Sequence, residues 1–251
     1  MWILISGSPF LFFLLVALAA LIGLQEFFSF RDEPISADMK VFACIWAVFI
    51  LFFAHLGAPN GVLSVLSAGL VTAFLLRLRK ADDLRHVSEE IGFLSLAMFY
   101  VVLLLSYLLF LRNLEQGSLW LLLLFLIVWS NDTAAYFTGM SIGKRKLYPK
   151  ISPKKSVEGF VGGLAGSIAA VLLAKIFFLH QLSLMDSFII AISIGILGPL
   201  GDLVESMLKR SSSVKDSGSL IPGHGGILDR VDSILFTAPF LYYFVAARYG
   251  G

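Results

Sequence analysis

One helix face in the last third of the chain carries side chains that could hold a cation and phosphate. Four polar residues follow one another at the i, i+3, i+4 and i+7 spacing of a helix face, namely Asp202, Glu205, Ser206 and Lys209. Lys209 alone could extend to lipid headgroups, but a carboxylate such as Asp202 within an apolar stretch needs a partner or a metal. This face therefore predicts a functional site.

A polar segment, residues 209–232, follows that face and reads KRSSSVKDSGSLIPGHGGILDRVD. Its glycine clusters let backbone N–H groups approach an anion closely, because glycine has no Cβ. Basic side chains suited to phosphate accompany them: Lys209, Arg210, Lys215 and Arg230. Asp229 and Asp232 lie one helical turn apart at its end. Carboxylates beside a basic, glycine-rich segment suit Mg²⁺ shared with substrate phosphates, so a nucleotide or phospholipid site is predicted.

Histidine and cysteine contribute little to this expected metal site. His224 could be a general acid or a metal ligand, and we expect it to contact phosphate. The other histidines are scattered, so no multi-histidine site is predicted: His55, His86 and His180. The single cysteine, Cys44, lies in an apolar stretch and excludes both an intrachain disulfide and a cysteine metal site.

Residues 131–163 form a second polar group, NDTAAYFTGMSIGKRKLYPKISPKKSVEGFVGG. Asn131 and Asp132 end an apolar segment. The candidate anion ligands Ser152, Lys154, Lys155 and Ser156 directly precede a helix, whose N-terminus attracts anions. The bases could instead form a solvated loop held to anionic lipid, at about 1 kcal/mol each. Glu158 could belong to the site or lie at the membrane interface, and the glycines that follow it indicate close helix packing.

The elements that must carry these residues are membrane helices. The 251 residues are 58% hydrophobic and 14% charged, against roughly 45–50% and 25% in soluble domains. Eight stretches are long enough to cross a bilayer: 9–30, 41–57, 61–78, 90–111, 118–139, 157–180, 184–208 and 233–249. The first lacks a basic flank and is too long for a signal peptide, so we expect it to be retained. Gly195, Gly198, Pro199 and Gly201 predict a kink or local unwinding just before Asp202.

Charge distribution predicts the orientation of these segments. The loops after segments 1, 3, 5 and 7 hold 16 of the 19 Lys and Arg residues, which places those loops in the cytoplasm and both termini outside. We therefore predict an all-α polytopic integral membrane protein with about eight transmembrane helices. Its active site would lie at the cytoplasmic ends of the C-terminal helices. Residues 1–251 would form one transmembrane domain, with 1–117 mainly scaffold helices and 118–251 the catalytic helices and cytoplasmic loops.

The stretch Ser206 to Asp232, SMLKRSSSVKDSGSLIPGHGGILDRVD, resembles the signature of phosphatidate cytidylyltransferases, also called CDP-diacylglycerol synthases. The shared pattern runs from a serine and Lys-Arg through Lys-Asp and Pro-x-His-Gly-Gly to Asp-Arg-x-Asp. NDTAAYFTGMSIGKRKL and ISPKKSVEGFVGG are similar to other stretches common in that family. The resemblance covers 129–233 strongly and the first four segments in outline. Members often begin with a basic tail and an extra hydrophobic segment, to which MWILISGSPF does not correspond.

The resemblance implies an enzyme of phospholipid biosynthesis in the cell membrane, with its active site facing the cytoplasm. CTP and phosphatidate would give CDP-diacylglycerol and pyrophosphate. It implies Mg²⁺, with a second cation left open, held by Asp202 and Asp229. Lys215 and Asp216 complete the expected catalytic group. The residues expected to hold phosphates are Lys209, Arg210, His224, Gly225, Gly226, Arg230 and Asp232. The residues expected to bind nucleotide or to order the site are Asn131, Asp132, Ser152, Lys154, Lys155, Ser156 and Glu158.

Two other functions would use similar residues. A CTP-dependent lipid kinase of the polyprenol or dolichol type would share acids at helix ends and basic loops, but it would transfer the γ-phosphate and release CDP. An ion-coupled transporter would favour a midplane site and paired repeats, neither of which is visible here. Besides the two substrates, we expect anionic membrane lipid and no nucleic acid as partners, and a homodimer is left open.

Overall fold

The computed structural model describes residues 7–31, 33–79, 86–212, 214, 217–218 and 225–250. Eight long helices and a two-stranded hairpin run through these residues. The helices are α1 (Pro9–Phe28), α2 (Ala37–His55), α3 (Pro59–Arg79), α4 (Val87–Asn113), α5 (Gly117–Ile142), α6 (Val157–Phe177), α7 (Leu184–Ser211) and α8 (Leu228–Arg248). The strands are β1 (Lys146–Tyr148) and β2 (Ser152–Ser156). Helix α4 includes a π-helical turn at Met98–Leu103.

The predicted polytopic membrane fold is confirmed. Helices α1 to α7 are each long and apolar enough to cross a membrane. Helix α8 has 21 residues and contains Pro239 and charged residues near both ends, which lower its hydropathy. It begins at Leu228 and not at residue 233, so Asp229 and Asp232 lie within its first two turns. Each of the eight predicted segments corresponds to one of these helices, so the protein is an integral membrane protein.

Close packing of α5 against α6 forms the base of the C-terminal half. A Cβ at Gly166 would lie 2.7 Å from the Cβ of Ala134, and a Cβ at Gly163 would lie 3.0 Å from Asn131 Oδ1. The glycines of α6 thus allow the two helix backbones to approach, as the sequence predicts.

Helix α7 is continuous across Pro199, so of the two predicted alternatives local unwinding does not occur, and a kink stays a prediction. Proline has no N–H, which leaves the carbonyl of Gly195, four residues earlier, without its intrahelical donor. Asn131 of α5 replaces that donor: its Nδ2 lies 3.2 Å from Gly195 O and 2.9 Å from Ser167 Oγ. Gly201 brings α7 against α8, because a Cβ there would lie 2.5 Å from the carbonyl oxygen of Asp232.

The hairpin between α5 and α6 is an addition to the all-α prediction. Strands β1 and β2 pair antiparallel, with Lys146 opposite Ser156 and Tyr148 opposite Ser152. The carboxylate of Glu158 in α6 accepts hydrogen bonds from the backbone N–H groups of Lys144 (3.0 Å) and Arg145 (3.2 Å). The first turn of α6 therefore holds the base of the hairpin, and Glu158 has this ordering role.

Candidate active site

A cavity of about 540 Å³ lies between the hairpin and helices α5, α6 and α7. One part of its lining is apolar and aromatic, with Tyr136, Met140, Leu147 and Phe160. The other part is charged, with Asp132, Lys146, Lys154, Lys155 and Asp202. A cavity with both kinds of lining suits a ligand that combines a planar or apolar group with several negative charges.

An ion pair between Lys155 and Asp202 joins the two polar groups found in the sequence. Lys155 of β2 places its Nζ 2.7 Å from Asp202 Oδ2 of α7 and 3.4 Å from the carbonyl oxygen of Pro199. The hydroxyl of Ser206, one turn further along α7, donates to Asp202 Oδ1 at 3.3 Å. Asp132 of α5 interacts electrostatically with both Asp202 and Lys155. Predicted residues separated by 70 positions therefore meet in one place.

A second ion pair links α7 to α8. Lys209 is only 8% exposed, and its ammonium donates to Glu205 Oε2 at 2.9 Å and to Asp229 Oδ1. Glu205 is fully buried, and its Oε1 has no hydrogen-bond partner within the described part of the chain. Lys209, predicted to bind phosphate, is thus the counter-ion of two carboxylates in this structure.

Asp229 is held by the polar segment that precedes it. Its Oδ2 accepts hydrogen bonds from the N–H of Ser217 (3.1 Å), the hydroxyl of Ser217 (2.8 Å) and the N–H of Gly226 (2.8 Å). Gly225 has a φ of +76°, and a Cβ there would overlap the Asp229 carboxylate. The backbone of Gly225 and Gly226 is therefore turned toward a side chain of the protein itself. Their predicted contact with phosphate stays a prediction.

Several carboxylates gather between α5, α7 and α8. Asp232 interacts electrostatically with Asp202, Glu205 and Asp132, and Glu205 also interacts with Asp229. Lys155 and Lys209 are the lysines that pair with this cluster among the residues that the structure describes. Within the described residues, no three His, Cys, Asp or Glu side chains already converge as ligands of one metal ion. Asp202 and Asp229 each contact a different lysine.

The remaining predicted residues fall into two sets. Those around the hairpin help to order it: Ser152 pairs with Tyr148 across the strands, Ser156 caps α6 by accepting from Gly159 N at 3.1 Å, and Lys154 lines the cavity. Arg210 and Arg230 are exposed at the ends of α7 and α8, and Arg210 donates to the carbonyl of Val214. Lys215, Asp216 and His224 lie outside the described residues.

Sequence reasoning missed Glu26 of α1, Ser217 and Tyr100. Glu26 is 8% exposed and contacts the polar segment through three hydrogen bonds. Tyr100, in the π-helical turn of α4, has a buried hydroxyl and interacts electrostatically with Glu205 and Asp232. A signal for Glu26 was present, since it is an ionisable residue inside an apolar segment and such residues are usually functional.

Comparison with known proteins shows which family this chain resembles over nearly its whole length. Residues 1–247 match the cytidylyltransferase family. A phosphatidate cytidylyltransferase of Bacillus subtilis is 49% identical over 162 residues, which are 63% of this chain and 59% of that relative. One of Staphylococcus saprophyticus is 36% identical over 89% of this chain and 85% of its own. One of Staphylococcus haemolyticus is 34% identical over 95% of this chain and 90% of its own.

These relatives confirm the resemblance that the stretch Ser206 to Asp232 carries. The match extends well beyond it, because the family covers α1 to α7 and nearly all of α8. The chain therefore belongs to the cytidylyltransferase family and is a nucleotidyltransferase.

Proposed function

We propose that this protein transfers the cytidylyl group of CTP to phosphatidate and so forms CDP-diacylglycerol and pyrophosphate. The observation that carries the proposal is the joining of Lys155 to Asp202 and of Lys209 to Asp229 at one end of the helix bundle, beside a partly apolar cavity. The names of the relatives support phosphatidate as the acceptor.

The reaction needs little acid or base catalysis. A phosphomonoester has a second pKa of about 6, so the phosphate of phosphatidate is largely ionised near neutral pH. One of its oxygens attacks the α-phosphorus of CTP, a new P–O bond forms, and the bond to the β-phosphate oxygen breaks to release pyrophosphate. Because two polyanions must meet, we expect catalysis to consist of positioning and charge neutralisation.

The chain's own residues can meet both needs. Lys154 and Lys155 lie in the cavity wall and would bind the triphosphate, while the aromatic wall at Tyr136 and Phe160 would hold the base. Asp202 keeps Lys155 in place at 2.7 Å. The site lies near the ends of α5 and α7, so we infer that the lipid phosphate enters sideways from the adjacent leaflet.

A divalent cation fits this cluster. Among the described residues its carboxylates outnumber its paired lysines, and the buried Oε1 of Glu205 has no partner there. Mg²⁺ is bound through one or two carboxylates and substrate phosphates, and Asp202 and Asp229 would be those carboxylates. When bound, it would neutralise charge on the transferring phosphates.

Basic loops support a cytoplasmic site. The hairpin, with its lysines, and the end of α7 lie at the end of the bundle predicted to face inward. CTP would then reach the cavity from the cytoplasm.

The proposal is tested with the purified chain in detergent, CTP labelled in the cytosine ring, and phosphatidate. We expect label in chloroform-soluble lipid only when phosphatidate and Mg²⁺ are both present. A matched assay with diacylglycerol, which lacks the phosphate nucleophile, should leave the label in water. Label that stays water-soluble with phosphatidate would contradict the proposed acceptor.

A further inference from the structure

Glu26 connects the first helix to the site in the last two. It lies near the C-terminal end of α1 and is 8% exposed. Its Oε1 accepts the N–H of Ile227 at 2.8 Å, and its Oε2 accepts the N–H of Leu228 at 2.9 Å. The hydroxyl of Ser217, whose one proton is shared with Asp229 Oδ2, lies 3.1 Å from Oε2. Two backbone donors and this shared hydroxyl hold the buried carboxylate in one position.

These contacts make Glu26 the cap of α8. The first N–H groups of a helix have no intrahelical acceptor, and a Ser, Thr, Asp or Asn at the N-cap usually accepts them. The N-cap of α8 is Ile227, whose side chain cannot accept a hydrogen bond. Glu26, 202 residues earlier in the chain than Leu228, supplies the acceptor. Its negative charge also suits the positive end of the helix dipole.

Glu26 reaches Asp229 by two routes. Asp229 lies in the first turn of the helix that Glu26 caps. In addition, the hydroxyl of Ser217 lies between the two acids, 3.1 Å from Glu26 Oε2 and 2.8 Å from Asp229 Oδ2. Ser217 is only 2% exposed, so water does not replace it easily. A displacement of Glu26 would therefore displace the carboxylate of Asp229 relative to Lys209.

Two glycines of the polar segment make room for Glu26. A Cβ at Gly218 would lie 2.9 Å from Glu26 Oε1 and 3.1 Å from its Cδ, and those nearest neighbours all belong to Glu26. A Cβ at Gly226 would overlap both Ser217 Oγ and the other oxygen of the Glu26 carboxylate. The close neighbour of Gly218 is therefore the α1 side chain alone, whereas at Gly226 it is Ser217 together with Glu26.

We infer that Glu26 is a positioning residue for cytidylyl transfer, which sets the place of the Asp229 carboxylate through Ser217 and the start of α8. The inference rests on the proposed function. It assigns part of the site to α1, in the half of the chain expected to be scaffold.

The first test compares Glu26→Gln with Glu90→Gln. Glu90 is also a buried acid of the N-terminal half, 5% exposed and paired with Arg77, but it has no contact with the polar segment among its described partners. With activity expressed per folded protein, we expect Glu26→Gln to lower kcat by about 10- to 100-fold, as for other residues that orient a metal ligand. The KM for CTP should change little, because the cavity lysines are untouched. Glu90→Gln should lower thermal stability without lowering kcat.

The second test does not depend on activity. Gly218→Ala should lower the thermal unfolding midpoint in the wild-type background, because the added methyl group displaces the Glu26 carboxylate. In the Glu26→Ala background the same change should have little further effect, since its nearest neighbour is gone. Gly218→Ala should also reproduce the loss of kcat while Glu26 itself is retained.

The outcomes distinguish a failure of the proposed cytidylyl transfer from a failure of the positioning role of Glu26. A wild-type chain that makes no CDP-diacylglycerol would refute the proposed function and this inference with it. An active wild type whose Glu26→Gln variant keeps its kcat would refute the positioning role alone. Additive effects of Glu26→Ala and Gly218→Ala on thermal unfolding would also overturn it, because the two residues would then not be in contact.

Discussion

Lys209 has two features that make the substitution of a charged side chain strongly destabilising. It is buried, and it neutralises two carboxylates on different helices, Glu205 at 2.9 Å and Asp229. Removing one partner of a buried ion pair leaves an uncompensated charge in a medium of low dielectric constant. The stability of this end of the bundle and the geometry of the site therefore depend on the same ammonium group.

We predict that Lys209→Met lowers the free energy of unfolding by about 3 kcal/mol. Arg210→Met is the matched control, because Arg210 is exposed on the next position of α7 and donates only to the carbonyl of Val214 in the contacts seen here. The measurement is unfolding in detergent, followed by helical circular dichroism. Equal effects of the two substitutions would show that the buried ion pairs are not formed.

Asp202 and Asp229 are the residues on which the metal assignment depends. Replacing either by Asn removes one negative charge at nearly constant volume, so we expect turnover to fall at least about 100-fold with the fold retained. Residual activity should require more Mg²⁺. Asp186→Asn is the control, since Asp186 is a buried acid at the opposite end of α7 paired with Arg248. Fully active Asp202→Asn and Asp229→Asn proteins would show the metal assignment to be wrong.

At the scale of elements, α7 stays helical up to the site although it contains a proline, because a side chain of another helix replaces the hydrogen-bond donor that the proline lacks. Pro199 leaves the Gly195 carbonyl without a helical donor, and Asn131 of α5 donates to it at 3.2 Å. The hydrogen bond at Gly195 thereby joins α7 to α5 about two turns before Asp202. Asn131 is predicted to bind nucleotide or to order the site; its hydrogen bonds here order the helices, and its contact with nucleotide stays a prediction.

This tie can be tested by a double-variant cycle. Pro199→Ala restores an N–H that can donate to Gly195 O, so Asn131→Ala should cost less stability in that background than in the wild type. We expect a coupling of about 1 kcal/mol, the net contribution of one hydrogen bond. Thermal unfolding of the four proteins measures it. Strictly additive effects would mean that Asn131 does not serve the freed carbonyl.

Much of this architecture can be predicted from the sequence because hydropathy and helix length are local properties. Eight apolar stretches become eight helices, and five of the predicted residues lie together where α5 and α7 end and α8 begins: Asp132, Lys155, Asp202, Lys209 and Asp229. The hairpin is not predictable in this way, since its strands have only three and five residues and lack an alternating pattern. The role of Glu26 is not predictable from local properties either, because its partners lie about 200 residues away along the chain and only the packing of α1 against α8 brings them together.

At the scale of the whole molecule, the distribution of charge defines two ends. One end carries the hairpin lysines and the acidic cluster. The other carries the short loop between α4 and α5 and the ion pair of Asp186 with Arg248. With most basic residues near the first end, the positive-inside rule predicts that this end faces the cytoplasm.

Single-cysteine labelling in intact cells tests this orientation. In a Cys44→Ala background, Lys150→Cys marks the hairpin turn and Glu115→Cys marks the loop between α4 and α5, and both positions are exposed. We expect a membrane-impermeant maleimide to label Glu115→Cys in intact cells and Lys150→Cys only after permeabilisation. The reverse pattern would place the candidate site on the outer face.

The identity of the transferred group tests the central claim most directly. Purified protein is given phosphatidate, Mg²⁺ and CTP labelled with ³²P at either the α- or the γ-phosphate. Cytidylyl transfer predicts that only the α-label enters lipid and that the γ-label is released as pyrophosphate. The Asp202→Asn protein should neither label lipid nor release labelled pyrophosphate. The γ-label in lipid, with the α-label in free CDP, would instead identify a lipid kinase and contradict this account.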